Sequence, residues 1–159
     1  MPTSRRRGER IPPVIALIQR VARARVEVDG AVVGRIERGL LVFVCAEPTD
    51  DAPICDRFVS KLLKLRVFGD DAGKMNRSVV EVSGGVLLVS QFTLAADVSG
   101  GNRPSFSNAA PPELGRRLFE RVLATARALH APVEAGVFGA DMQVTLVNDG
   151  PVTIPMTLR

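Results

Sequence analysis

The sequence predicts an α+β fold: two main helices packed on one side of curved, barrel-like layers of β-sheet. Strand-like runs outnumber helical ones, the connections between them are short, and only two stretches repeat apolar residues every three to four positions. The 159 residues fit one domain able to bury a single sizeable core. Hydrophobic residues make up 46% of the chain and charged ones 24%, a globular balance and not a disordered one.

Taken in order, the chain starts with an arginine-rich stretch, residues 1–13. It has the positive region of a signal peptide without the apolar run or small-residue cleavage site that would follow. It reads either as a disordered extension or as a misassigned start, ahead of one domain over residues 14–159. Residues 15–21 form a first strand. Asp29-Gly30, between strand-like 25–28 and 32–36, is a strong hairpin signal, and residues 39–46 make a nearly continuous apolar strand. Pro48-Thr49-Asp50-Asp51 supplies turn and N-cap chemistry for a helix whose Ile54, Phe58, Leu62 and Leu65 share one face, with Lys61, Lys64 and Arg66 in its last turns. Gly84-Gly85 reads as a hairpin turn ahead of the buried strand 85–89. A second helix opens at Pro111-Pro112-Glu113, runs through Leu114, Leu118, Val122 and Leu123 to Leu129, and stops before Pro132. Three more strands follow, at 133–138, 142–147 and 152–158.

The net charge of +4 comes largely from Arg5, Arg6, Arg7 and Arg10. The remainder is close to neutral, which suits a protein holding an RNA terminus better than one gripping long duplex. Aromatic residues are 4% of the chain, with no Trp or Tyr, which disfavours a base-stacking platform for single strands. No apolar run approaches the ~20 residues of a membrane-spanning helix, so no membrane partner is expected. Cys45 and Cys55 match no metal or redox spacing and read as buried thiols in a reducing, cytoplasmic compartment.

The catalytic inventory informs mainly by what it lacks. His130 is the only histidine and sits at a helix C-terminus, where a structural role is expected; it supports neither a Ser-His-Asp arrangement nor a histidine-rich zinc site. Asp70 with Asp71, or Asp141 with Asp149, could pair for acid-base work, but nothing in the sequence places either pair at one site. No glycine-rich phosphate loop, metal site or cofactor site is indicated. A hydrolase built on this chain must work without the usual side-chain bases.

Two short stretches carry a sharper signal: Ser90-Gln91-Phe92-Thr93-Leu94 where an apolar strand runs out, and Asn148-Asp149-Gly150-Pro151-Val152-Thr153 near the C-terminus. From the residues alone, Gly150-Pro151 is a trans proline at a strand edge or bulge. Both stretches resemble the signature motifs of the D-aminoacyl-tRNA deacylases of bacterial type. Residues 15–21, Gly73-Lys74-Met75-Asn76, Arg103-Pro104-Ser105-Phe106-Ser107 and Ala140-Asp141-Met142 look like further landmarks in family order. The sister group in animals is similar to Pro-Gln-Ala-Thr-Leu at the first motif, from which Ser90 and Phe92 depart.

The resemblance implies a homodimer that cleaves the ester between a D-amino acid or glycine and the 3′ end of tRNA, with no cofactor and no DNA partner. It places catalysis at Ser90, Gln91, Phe92 and Thr93, chiefly through backbone donors. Thr93 is then either a hydrogen-bond partner or a nucleophile, and the Phe92 ring is expected in the core. It further implies a cis Gly150-Pro151 bond that turns L side chains away from the partner subunit's active site, Arg20 as its brace, and substrate contacts at Met75, Asn76 and Asn148. Apart from the resemblance, a non-catalytic dimeric module for RNA ends and an esterase for small D-acyl compounds both stay open.

Overall fold

The computed structural model describes residues 14–47 and 51–158. The expected N-terminal extension lies outside the described residues, as do Pro48, Thr49 and Asp50 of the capping turn. Strand β1, Val14–Val28, is longer than expected because the two runs at its ends join into one 15-residue strand. Its alternation is the reason: Ala16 and Ile18 face one apolar cluster, while Val21, Ala24 and Val26 face another. Asp29 and Gly30 take positive φ values of 50° and 78°, the geometry a two-residue hairpin requires, and lead into β2, Ala31–Ile36. Strand β3, Gly39–Cys45, is buried except at Phe43 and lies antiparallel to the first half of β1.

Helix α1, Ala52–Lys64, is capped by Asp51, whose Oδ1 accepts from the Ile54 amide at 3.1 Å. It buries Ile54, Phe58 and Leu62 as their spacing predicts, but Leu65 is its C-cap and Arg66 lies beyond it. Two short antiparallel strands not foreseen in the sequence follow, β4, Phe68–Gly69, and β5, Met75–Arg77. Strand β6, Gly85–Ser90, runs parallel to β3, so Gly84-Gly85 is not the hairpin turn expected. The glycines serve close approach instead: a Cβ on Gly39 would sit 1.9 Å from the Gly85 carbonyl oxygen.

Helix α2, Pro112–Leu129, returns the chain to β7, Val133–Ala135, which lies parallel to β6 and is shorter than the expected 133–138. The helices pack on the same side of the sheet, around Phe58, Leu62, Leu118, Phe119 and Val122. They are also linked by Arg121 Nη2 to Asp56 Oδ2 at 2.7 Å and Thr125 Oγ1 to Asp56 Oδ1 at 2.8 Å. Each apolar side chain so buried stabilises by about 1.5–3 kcal/mol.

Strand β8, Gln143–Leu158, replaces the two strands expected at the C-terminus: it runs through Gly150-Pro151 without ending and pairs along almost all of β1. A sheet order of β2-β1-β3-β6-β7 with β8 on the other edge of β1 gives the α+β, barrel-like arrangement.

Candidate functional site

β6 is fully buried from Gly85 to Val89 and reaches the surface at Ser90. The Gln91 amide still follows the parallel ladder, donating to the Val44 carbonyl at 2.9 Å, after which the backbone tightens into a 3-10 turn over Phe92–Ala95. Amides at the start of such a turn have no acceptor in the preceding chain. Among the described residues, the Phe92 and Thr93 amides have no hydrogen-bond acceptor. Two N–H groups are thereby left for a ligand, in a stretch anchored by the core strand behind it.

The Phe92 side chain differs from expectation. The Phe92 ring is 59% exposed, not in the core, and meets the Phe106 ring edge-on with centroids 5.0 Å apart. The 3-10 turn causes this, because it takes residue 92 out of a strand that is buried on both faces through Val89. The Gln91 Nε2 donates to Thr93 Oγ1, which occupies the hydroxyl with an amide and not with a base. Behind the turn, buried Cys45 Sγ donates to the Phe92 carbonyl at 3.8 Å.

A cleft of ~680 Å³ opens here, lined by Ser90, Gln91, Phe92, Phe106, Phe138 and Met142 among others. Thr93 adjoins it without lining it. Asp141 is the carboxylate among its lining residues; Asp149 lies elsewhere, so that pair is not one site. Asp71 is paired with Arg77 at 3.0 Å and Asp70 caps its own turn, with its carboxyl held below the usual range by the Lys74 amide first and then the Ala72 amide and Asn76. His130 contacts the Gly84 carbonyl at 2.6 Å, remote from the cleft lining. Among the described residues no three His, Cys, Asp or Glu side chains are placed to hold a metal ion, and no helix is long and apolar enough to cross a membrane.

The second motif is a bulge in β8. Gln19 of β1 pairs with Thr153 and Val21 with Asn148, so Asp149, Gly150, Pro151 and Val152 stand opposite Arg20 alone. The Gly150–Pro151 bond is cis and both residues are exposed. Asn148 closes the bulge from within, accepting from the Val152 amide and donating to Thr153 Oγ1, each at 2.8 Å. Arg20 closes it from β1: Nε donates to the Asp149 carbonyl at 2.9 Å and Nη1 to the Val67 carbonyl at 2.8 Å. Gly150 has φ +134°, and a Cβ there would meet Arg20 Nη2 at 2.9 Å, so the arginine packs against the glycine itself.

Arg20, Asp149 and Met75 line one hollow of ~320 Å³, with Arg38 stacked 5.3 Å over the Phe68 ring beside them. Asn76 is not in it: its side chain donates to Asp70 and accepts from Arg66, holding the β4–β5 turn. Within one chain the two motifs do not meet. Ser90 stands opposite Val44, which stands opposite Ala16, four residues along β1 from Arg20. With the further step from β1 to β8, Ser90 and Gly150 are about 13 Å apart along the strands and about 14 Å across them. The aromatic walls Phe106 and Phe138 were not foreseen as site residues, although Phe106 lies in one of the landmark peptides.

The family described as D-Tyr-tRNA(Tyr) deacylase matches residues 17–157. Curated relatives include the D-aminoacyl-tRNA deacylase of Methylibium petroleiphilum, 71% identical over 145 residues that cover 91% of this chain and 95% of the relative. That of Aromatoleum aromaticum is 64% identical with the same coverage. Among solved structures, one titled c-Myc DNA Unwinding Element Binding Protein superposes with a TM-score of 0.85 at 40% identity, covering 89% of this chain and 97% of that one. A probable eukaryotic D-amino acid tRNA deacylase shares the fold, with a TM-score of 0.79 at 18% identity over 92% of this chain and 100% of that one.

Proposed function

This chain belongs to the D-Tyr-tRNA(Tyr) deacylase family and is a D-aminoacyl-tRNA deacylase, and on that premise we propose how it cleaves and how it chooses its substrates. The substrate is an ester of a D-amino acid, or of glycine, on the terminal ribose of tRNA. The cleft takes the terminal nucleoside, and the Phe92 and Thr93 amides donate to the oxyanion that develops as water attacks the ester carbonyl. The observation that carries this is that those two N–H groups lack an acceptor beside a cleft of ~680 Å³, roomy enough to admit a nucleoside. One well-placed donor of this kind lowers a barrier by about 2.7–4 kcal/mol. With no histidine at the cleft, the neighbouring ribose 2′-hydroxyl is the group best placed to assist proton transfer.

Selectivity is exclusion. Gly150-Pro151 presents an exposed, braced loop on an edge strand, too far from Ser90–Thr93 of its own chain to act there. A homodimer that sets the partner subunit's Gly150 and Pro151 against this cleft makes them a wall that an L side chain strikes, and that a D side chain or the hydrogen of glycine avoids. Residues 14–159 act as one such domain, in the cytoplasm, on tRNA and not on DNA.

The test is the rate of ester hydrolysis for D-aminoacyl-, L-aminoacyl- and glycyl-tRNA side by side, with sedimentation of the protein. Hydrolysis of the D and glycyl esters but not the L ester, by a dimer, is expected. Equal rates on D and L esters, or full selectivity in a monomer, would refute the wall.

A further inference from the structure

A groove of ~270 Å³ on the outer face of the β1–β2 hairpin is lined by Arg23, Arg25 and Arg35, with Glu37 at its rim and Thr145, Leu146 and Val147 of β8 along its side. All three arginines are exposed. Arg25 is paired with Glu27 at 3.0 Å, whereas Arg23 and Arg35 make no ion pair or hydrogen bond among the described residues.

Arg25 and Arg35 stand directly opposite each other across the hairpin. Like charges in that position destabilise a sheet. The arrangement is produced by a bulge: Val28 pairs with Ala31 and Glu27 with Val32, but Val26 pairs with Gly34, so Val33 is an extra residue. Without it Arg25 would face glycine. The hairpin thus holds two guanidinium groups together, with a third two residues along β1, and leaves two of them without a counter-charge.

The groove adjoins the cleft along β8. Val144 of β8 lines the cleft, and the next three residues line the groove. A strand rises about 3.3 Å per residue, so the two are separated by no more than one or two nucleotide steps. Guanidinium groups suit phosphodiesters because their planar fork offers paired donors to two oxygens.

We propose that Arg23, Arg25 and Arg35 form a phosphate-binding groove for the acceptor arm of the substrate tRNA, just upstream of the nucleotide held in the cleft. The proposal rests on the reading that the cleft takes the tRNA 3′ end. The groove contacts the backbone alone, so it supplies affinity and register common to all tRNAs and no choice among amino acids.

The experiment compares the wild-type protein with Arg23→Gln/Arg35→Gln and with Glu37→Lys. The substrates are full-length D-aminoacyl-tRNA and a D-aminoacyl ester of the terminal trinucleotide, at two salt concentrations. For the double variant, kcat/KM on tRNA relative to that on the trinucleotide should fall about tenfold, through KM, and the log–log salt slope should flatten by about 1.4–1.8 for two lost phosphate contacts. Glu37→Lys should shift both in the opposite direction. Binding of uncharged tRNA, measured by fluorescence titration, should weaken in the double variant and tighten in Glu37→Lys, and this holds even if no ester is cleaved. Wild-type protein inactive on both esters would sink the catalytic reading alone. Unchanged tRNA binding in both variants, equal losses on tRNA and trinucleotide, or a change in sedimentation showing that this face joins two copies of the chain, would each overturn the groove.

Discussion

Arg20 and Asp149 lock the two longest strands together at the larger of the two irregularities in their ladder. The guanidinium donates to the Asp149 carbonyl at 2.9 Å and approaches its carboxylate at 3.7 Å, across a bulge that leaves four residues of β8 opposite a single residue of β1. A backbone that has lost its ladder bonds is held by side chains or not at all.

Arg20→Ala removes the donors to Asp149 and Val67, worth about 1.5–3 kcal/mol each when charge-assisted. The expected result is a fall of roughly tenfold or more in the ratio of D to L ester hydrolysis, with folded circular dichroism retained. Gly150→Ala should give the same phenotype by another route, since its φ of +134° is strained for alanine and its Cβ would press on Arg20 Nη2 at 2.9 Å. Unaltered selectivity in both variants would separate the brace from specificity.

Thr93→Val should keep at least a tenth of wild-type hydrolysis. The Thr93 hydroxyl is held by the Gln91 amide with no base beside it, and the variant retains the Thr93 backbone amide position. Replacing the terminal ribose 2′-hydroxyl by hydrogen should cost far more. Trapping an acyl group on Thr93 by mass spectrometry would contradict this.

His130→Ala should leave kcat/KM within about twofold, because its ring contacts the Gly84 carbonyl and not the cleft. Stability should drop by about 1 kcal/mol in urea unfolding, the worth of one hydrogen bond. A hundredfold kinetic loss in folded protein would bring a histidine mechanism back.

Asp56 links the helices, and its carboxyl is held below the usual range by the Arg121 hydrogen bond first and then by Thr125. A depressed folded pKa stabilises above the unfolded value, and that stabilisation disappears as pH falls through the folded value. Urea midpoints should therefore decline from the normal carboxylate range downward, and Asp56→Asn should flatten part of that decline while lowering the midpoint at neutral pH. Parallel acid profiles for wild type and variant would rule Asp56 out.

Much of the fold was legible locally. Three-to-four spacing placed Ile54, Phe58 and Leu62 on a buried face, Asp51 caps that helix, Asp29-Gly30 turns the first hairpin, and the end of the Gly85–Ser90 strand marks the cleft wall. Periodicity, capping and turn chemistry depend on neighbours in sequence, so a sequence states them by itself.

Tertiary structure decided the rest, because it depends on partners far along the chain. Gly150-Pro151 should end a strand by local rules, yet β8 continues through it because β1 supplies a ladder on both sides and Arg20 and Asn148 hold the gap. Gly84-Gly85 looks like a turn, and only the parallel contact with Gly39 shows that it makes room for a neighbouring backbone. The Phe92 ring turns outward because the chain leaves the sheet after Ser90 and enters a 3-10 turn at Phe92. Arg25 and Arg35 face each other only because Val33 slips the register by one, a shift no local pattern announces. Local spacing determines which residues can share a face; long-range pairing determines which face, and what stands across from it.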